Sequence, residues 1–230
     1  AVPVGGYQPR RRASGRPRMS AAAEQIDDYV PSWDTEEAQR SWRRRTSLEM
    51  IISGFIGLVT SFVLSIEAWQ LAVDSSARFG CDVSSVLSCS AVAQTWQARI
   101  LGFPNAFLGI FFEAVVLAIS VAIFAGVKFP RWYMACTNLL YTIALFFAFW
   151  LFGQSYFIIQ VLCPWCLLIT LTTTLVFGGI TRINIRDGVI PAPASLRRIV
   201  GQGLDWALWG LIVFGVLAMV VGKYGLRLLG

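Results

Sequence analysis

The chain has 230 residues, of which 56% are hydrophobic and only 14% charged, and its apolar residues come in long uninterrupted runs. This excludes an ordinary soluble globular protein, and the absence of period-two alternation in the runs argues for a membrane helical bundle over a membrane barrel. The net charge of +6 does not indicate nucleic acid, because nine of the 19 basic residues fall within residues 1–46 beside six acidic ones; such a segment reads as a solvated tail that meets anionic lipid headgroups.

The tail, residues 1–46 with "QPRRRASGRPR" near its start, is rich in Pro, Gly, Ser and Ala and is expected to be disordered and cytoplasmic. After it come five stretches, 48–73, 105–127, 132–152, 161–180 and 206–222, that reach or approach the roughly 17 to 25 apolar residues of a membrane-crossing helix. Arg40, Arg43, Arg44 and Arg45 precede the first stretch; Lys128 and Arg131 lie between the second and third; Arg182, Arg186, Arg197 and Arg198 lie between the fourth and fifth. Cytoplasmic ends collect Lys and Arg, so the sparsely charged segments 74–104 and 153–162 are expected on the outer side of the cell membrane. Lys223 and Arg227, after the fifth stretch, run against this pattern.

Four of the five cysteines fall on that outer, oxidising side. Cys81 and Cys89 bound "CDVSSVLSC", and Cys163 and Cys166 bound "CPWC" at the start of the fourth stretch. Residues three apart share one helix face. Pro164 suits the first helical position, so Cys163 becomes the amino-terminal cap, where free N–H groups and the helix dipole stabilise negative charge on sulfur. This is the pattern of a reversible dithiol. A structural bridge across two residues would constrain little chain. A zinc site is disfavoured, because seven residues separate Cys81 from Cys89 and the chain has no histidine; we expect no metal. Cys136, in the third stretch, reads as a small buried hydrophobe.

The order "CDVSSVLSC", then Asn105 in "GFPNAFLG", then "CPWC" resembles the vitamin K epoxide reductase family in its bacterial form, over about residues 48–180. The resemblance implies an all-α integral membrane protein: a four-helix transmembrane bundle, residues 47–181, around a quinone of the menaquinone or ubiquinone type. It also implies an outer cap and shuttle loop, 74–104, to which a cytoplasmic linker, 182–205, and a fifth helix, 206–230, are added. It casts Cys163 and Cys166 as the active-site pair, Cys81 and Cys89 as the shuttle pair, and Asn105 and Thr95 as hydrogen-bonding partners of a quinone oxygen. The implied activity is reoxidation of an extracytoplasmic DsbA-like thioredoxin-fold protein, with the electrons passed to membrane quinone. In place of the Tyr that vertebrate members carry four residues after the second active-site cysteine, this chain has Thr170. Many bacterial relatives continue into a thioredoxin-like domain; here Gly230 follows the fifth helix, and a separate electron donor is expected.

Aromatic residues around the start of the second stretch, Trp96, Phe103, Phe107, Phe111 and Phe112, could wall a flat ring or form an interfacial belt; Phe107 and Phe111 are the candidates for ring contact. Glu67 and Glu113 are intramembrane by these limits and are candidates for quinone protonation or for bonding neighbouring helices. The other class left open is a non-enzymatic membrane subunit or assembly factor whose cysteines form structural disulfides.

Overall fold

The computed structural model describes residues 36–229. Five of its helices are long and apolar enough to cross a membrane. They are α1 (Glu36–Val73), α3 (Ala106–Phe124), α4 (Arg131–Gly153), α5 (Pro164–Arg186) and α7 (Asp205–Leu229), with two short helices, α2 (Cys89–Ala93) and α6 (Ala194–Gln202). A 3-10 turn covers Trp96–Arg99, and α4 runs on into a π turn, Gln154–Ile159. The fold is the all-α membrane bundle expected. Helix α1 packs on α3 and α5, α4 packs on α5, and α7 lies against the outside of α5.

Small residues bring α1 and α3 together. Gly54 and Gly57 on α1 face Val116 and Glu113 on α3: a β-carbon on Gly57 would lie 2.6 Å from the Glu113 carboxyl carbon. Without a hydrophobic drive between helices in lipid, close backbone approach of this kind supplies the packing. Most buried hydroxyls are satisfied within their own helix. Thr60 donates to Ile56 O, Ser65 to Ser61 O, Ser120 to Val116 O and Thr174 to Thr170 O. The deep core is apolar, formed by Met50, Val116, Ile119, Ile123, Met134, Tyr141, Val176, Ile180 and Ile183.

Two boundaries differ from expectation. Among the described residues α1 already runs from Glu36, inside the expected tail of residues 1–46, and Arg40 pairs with Glu36 at 3.5 Å. The rest of the expected tail, residues 1–35, lies outside the described residues. The segment 182–205 is not simply a linker, since α5 continues to Arg186 and the segment contains α6. Helix α6 starts after Pro193 and stops at Gly203, whose φ of 81° is the left-handed conformation that ends helices. Cys136 is exposed on α4 rather than buried. Met134, Thr137, Tyr141, Ala148 and Phe152 form the buried face of α4, and residue 136 is out of phase with it; a small thiol rests as well against lipid as against protein.

Helix α7 is fixed at both ends. Arg182 of α5 pairs with Asp205 at 3.3 Å and lies 5.7 Å from the Trp206 ring. At the other end Lys223 stands 4.2 Å from the Tyr156 ring and donates to Tyr156 O, while the fully buried Tyr224 donates to the same carbonyl at 3.3 Å. The lysine that ran against the charge pattern thus closes the carbonyl end of the π turn.

The Gly57 packing is directly testable. Gly57→Leu should lower the melting temperature of the detergent-solubilised protein by an amount that reflects about 1–3 kcal/mol of overpacking, whereas Gly210→Leu, where a side chain meets nothing within 4 Å, should leave it unchanged.

Candidate active site

The two cysteine pairs meet at one end of the bundle. Cys81 and Cys89 are joined by a disulfide; Cys163 and Cys166 are free thiols. Cys163 caps α5, with Pro164 in the first turn, and its sulfur accepts the Cys166 N–H at 3.3 Å. Its Sγ also lies 3.4 Å from Cys89 Sγ. All three of Cys81, Cys89 and Cys163 are buried, with Val92, Leu64, Phe79 and Trp165 packed around them.

The pairs are held together by backbone. Leu162 N–H donates to Val86 O at 2.9 Å and Ser88 N–H donates to Leu162 O at 3.0 Å, a short parallel bridge between Leu87 and Leu162. Two residues beyond Leu87 this bridge delivers Cys89, and one residue beyond Leu162 it delivers Cys163. Within the loop Asp82 is the organising group. Its carboxylate accepts from Phe79 N–H at 2.9 Å, Ser88 Oγ at 2.7 Å and Ser90 N–H at 3.0 Å, and Ser88 in turn accepts the Ala91 N–H as the cap of α2. Partial burial acts against the charge, but these donors outweigh it and hold the Asp82 carboxyl down at about 2.

Glu67, at the end of α1, places its two carboxyl oxygens 3.5 and 3.7 Å from Cys81 Sγ and receives a hydrogen bond from Trp165. The ligand atoms of Glu67, Cys81 and Cys89 lie within 4.8 Å of one another, but two of the three are sulfurs spent on a disulfide, so the cluster offers a metal one carboxylate and no thiolate.

Below the sulfurs a cavity of about 190 Å³ opens among α1, α3, α4 and α5. Cys89, Cys163 and Cys166 are in its wall, as are Thr95, Gln97, Asn105, Glu113, Tyr141 and Thr170, with apolar side chains making up most of the rest. Asn105 donates through Nδ2 to Gln97 O at 2.7 Å, leaving its buried Oδ1 without a partner. One amide hydrogen and one acceptor oxygen are then uncommitted, which suits a group that is a carbonyl before reduction and a hydroxyl after it. An apolar slot with an orphaned amide oxygen fits a quinone ring. Thr95 is in the wall, but its hydroxyl donates to Val92 O at 2.7 Å, so it can accept from a quinol and not donate to a quinone in this arrangement. Thr170 likewise donates to Cys166 O at 3.0 Å.

The expected ring contacts from Phe107 and Phe111 are corrected. Asn105, Leu108, Gly109, Phe112 and Glu113 form the cavity face of α3, following the three- and four-residue steps of a helix, and this phase turns Phe107 and Phe111 outward, 45% and 60% exposed. Phe112 is the aromatic of that group which reaches the cavity, joined by Phe147 and Phe152 of α4. Trp96 is also exposed, against Trp150 at 6.3 Å. Residues that the sequence reading passed over are Gln97, which donates to Gln154 Oε1 at 3.4 Å, and Tyr141, whose hydroxyl donates to Phe112 O at 3.0 Å. Tyr141 could have been found from the buried phase of α4; nothing in the sequence marks Gln97.

Three variants test this geometry. In Cys81→Ala/Cys166→Ala, mild oxidation should join Cys89 to Cys163 in most of the protein, measured as a crosslinked peptide after non-reducing digestion, while Cys89→Ala/Cys163→Ala should crosslink its remaining pair several-fold less. Asp82→Ala should speed reduction of the Cys81–Cys89 bond by small thiols at least about tenfold, since each of the lost bonds contributes about 1 kcal/mol. Because the folded carboxyl is depressed, its ordering of the loop is complete above 3.8, the ordinary value, and is lost as pH falls through about 2; wild type should approach the variant only in that acid range.

No curated protein matches the chain. The profile of the vitamin K epoxide reductase family matches residues 48–180, which contain all of α3 and α4, most of α1 and α5, and both cysteine pairs. The match covers more than half of the chain: the chain belongs to the vitamin K epoxide reductase family.

Proposed function

We propose that this quinone-dependent thiol oxidoreductase works as a thiol oxidase, taking electrons from a DsbA-like thioredoxin-fold protein outside the membrane and supporting disulfide formation in secreted proteins. The observation that carries the reading is the 3.4 Å approach of Cys163 Sγ to Cys89 Sγ at the wall of the cavity. Exchange between two pairs needs one sulfur of each within attacking distance, and these are the two that face each other.

In the proposed sequence a thiolate of the partner attacks Cys81 and releases Cys89. The partner's second thiol then displaces Cys81, and the partner leaves oxidised. Cys89 attacks Cys163 of a Cys163–Cys166 disulfide and releases Cys166 as thiolate. Cys81 attacks Cys89, the Cys81–Cys89 bond is restored, and Cys163 is freed with both electrons on the inner pair. An oxidised outer pair and a reduced inner pair is the redox state of the structure described above. When bound in the cavity, a quinone would supply the acceptor for two electrons and two protons. The chain's part in that step is to present Cys166 in the wall, to hold a quinone oxygen at Asn105, with Thr95 beside it, and to exclude water with the cap. Re-formation of the Cys163–Cys166 bond completes the cycle.

The location reading rests on charge. Arg43, Arg44, Lys128, Arg131, Arg182 and Arg186 all lie at or near the helix ends remote from the cysteine pairs, which supports an outward-facing site in the cell membrane.

With purified protein, a reduced thioredoxin-fold partner and a short-chain quinone, wild type should turn over. Cys166→Ala should lose at least about 10³-fold, and Cys81→Ala should lose partner-driven turnover while small thiols still drive quinone reduction. Equal quinone reduction by all three would remove the relay.

A further inference from the structure

We propose that Glu113 is the group that delivers a proton to the quinone oxygen remote from Asn105, an inference that rests on the reading of the cavity as the quinone site. A quinone carries two carbonyl oxygens on opposite sides of its ring, and Asn105 can serve one. Glu113 stands on the same face of α3, eight residues on, or about 12 Å along the helix. The cavity therefore has an amide toward the sulfur end and a carboxyl toward the bundle interior, with Leu108, Gly109 and Phe112 between them.

The carboxyl is placed for this task by its surroundings. Glu113 is 2% exposed, and its Oε2 has no hydrogen-bond partner. Gly57 makes room for it: a β-carbon there would meet the carboxyl carbon at 2.6 Å. The titratable and charged groups around the cavity are Tyr141 from α4, Cys163 and Cys166 from α5 and Arg99 from the cap; Cys89 is held in its disulfide and does not titrate. On α1, Glu49 lies eight residues before Gly57 and Glu67 ten residues after it. Tyr141 spends its proton on Phe112 O, and Thr170 spends its own on Cys166 O, so neither hydroxyl competes as donor. Burial of the acid form costs less than burial of an anion that lacks a counter-ion.

The step balances. Formation of the Cys163–Cys166 bond from two thiols yields two electrons and two protons, and conversion of quinone to quinol consumes two of each. Glu113 gives its proton to the quinone oxygen as the electrons arrive and recovers one of those released at sulfur, so the carboxyl ends the cycle as it began.

The test uses the full chain in lipid nanodiscs with ubiquinone-1 as probe, comparing wild type, Glu113→Gln and Glu113→Asp, with Cys136→Ser as a control remote from the cavity. Three quantities are read: quinone affinity, the pH profile of kcat, and the infrared carbonyl band of a protonated carboxyl. Glu113→Gln should bind quinone within about twofold of wild type and lose about 10²-fold in kcat, the usual contribution of general acid catalysis. Glu113→Asp should recover part of that loss. As an acid, Glu113 must hold its proton, so wild-type kcat should fall as pH rises through its titration, and that alkaline limb should be absent from Glu113→Gln. The carboxyl band should shift when quinone binds wild type and be missing from Glu113→Gln. A Glu113→Gln protein that matches wild type in kcat and pH profile overturns the proposal and leaves the quinone site standing, and one that simply fails to bind quinone overturns it too, by making Glu113 a binding group. If wild type itself binds no quinone, the site reading falls first and this inference with it.

Discussion

The arrangement depends on a two-hydrogen-bond splice between segments about 75 residues apart. Leu162, the residue before Cys163, is bonded on both sides to the loop residues Val86 and Ser88. The cysteine end of the site takes its position from that splice. It fixes the amino-terminal end of α5, hence the capping sulfur; it fixes the loop, hence Cys89; and it closes the end of the cavity that Asn105 and Glu113 line. Apolar packing secures it, with Val86, Phe152, Leu162 and Tyr224 buried together. Tyr224 belongs to α7, so the helix outside the family match is tied to the same place through the π turn.

The bundle beneath is built to keep polar groups occupied where no water competes for them. Serine and threonine hydroxyls return to carbonyls of their own helices, and Arg182 is matched by Asp205 and set against Trp206. Against this background the groups with uncommitted atoms stand out, and those of Asn105 and Glu113 belong to side chains that line one cavity. An apolar bundle tolerates such atoms poorly; Glu49, Ser61 and Asn184 carry others away from the cavity.

Much of this was legible in the sequence because membrane segments and caps are local. Hydropathy marked the five spans, and Cys-Pro at the start of an apolar run fixed the cap at Cys163 without reference to the rest of the chain. Helix phase is legible as well: with Asn105 facing the cavity, residues 107 and 111 fall on the opposite face, and Cys136 is out of phase with the buried side of α4 in the same way. Residues 36–46 are already helical, inside a stretch whose composition suggested a tail. The Leu87–Leu162 splice was not legible, since neither residue differs from any other apolar residue until the backbone brings them together. Gln97 was hidden for a related reason, because its role comes from a 3-10 turn whose sequence, "WQAR", carries no strong helical signal.

Cys81, the sulfur assigned to meet the partner, is only 7% exposed. An incoming thiol therefore meets a closed door, and the apparent encounter rate is the intrinsic rate scaled by the fraction of time the loop stands open. A splice of two hydrogen bonds gives an opening cost of a few kcal/mol, corresponding to an open fraction of about 0.1–10%. The same closure keeps small oxidants and stray thiols away from the inner pair between encounters. Under the proposed relay selectivity is kinetic: a protein whose docking energy lifts the loop removes the penalty, and a molecule that cannot lift it bears the penalty in full.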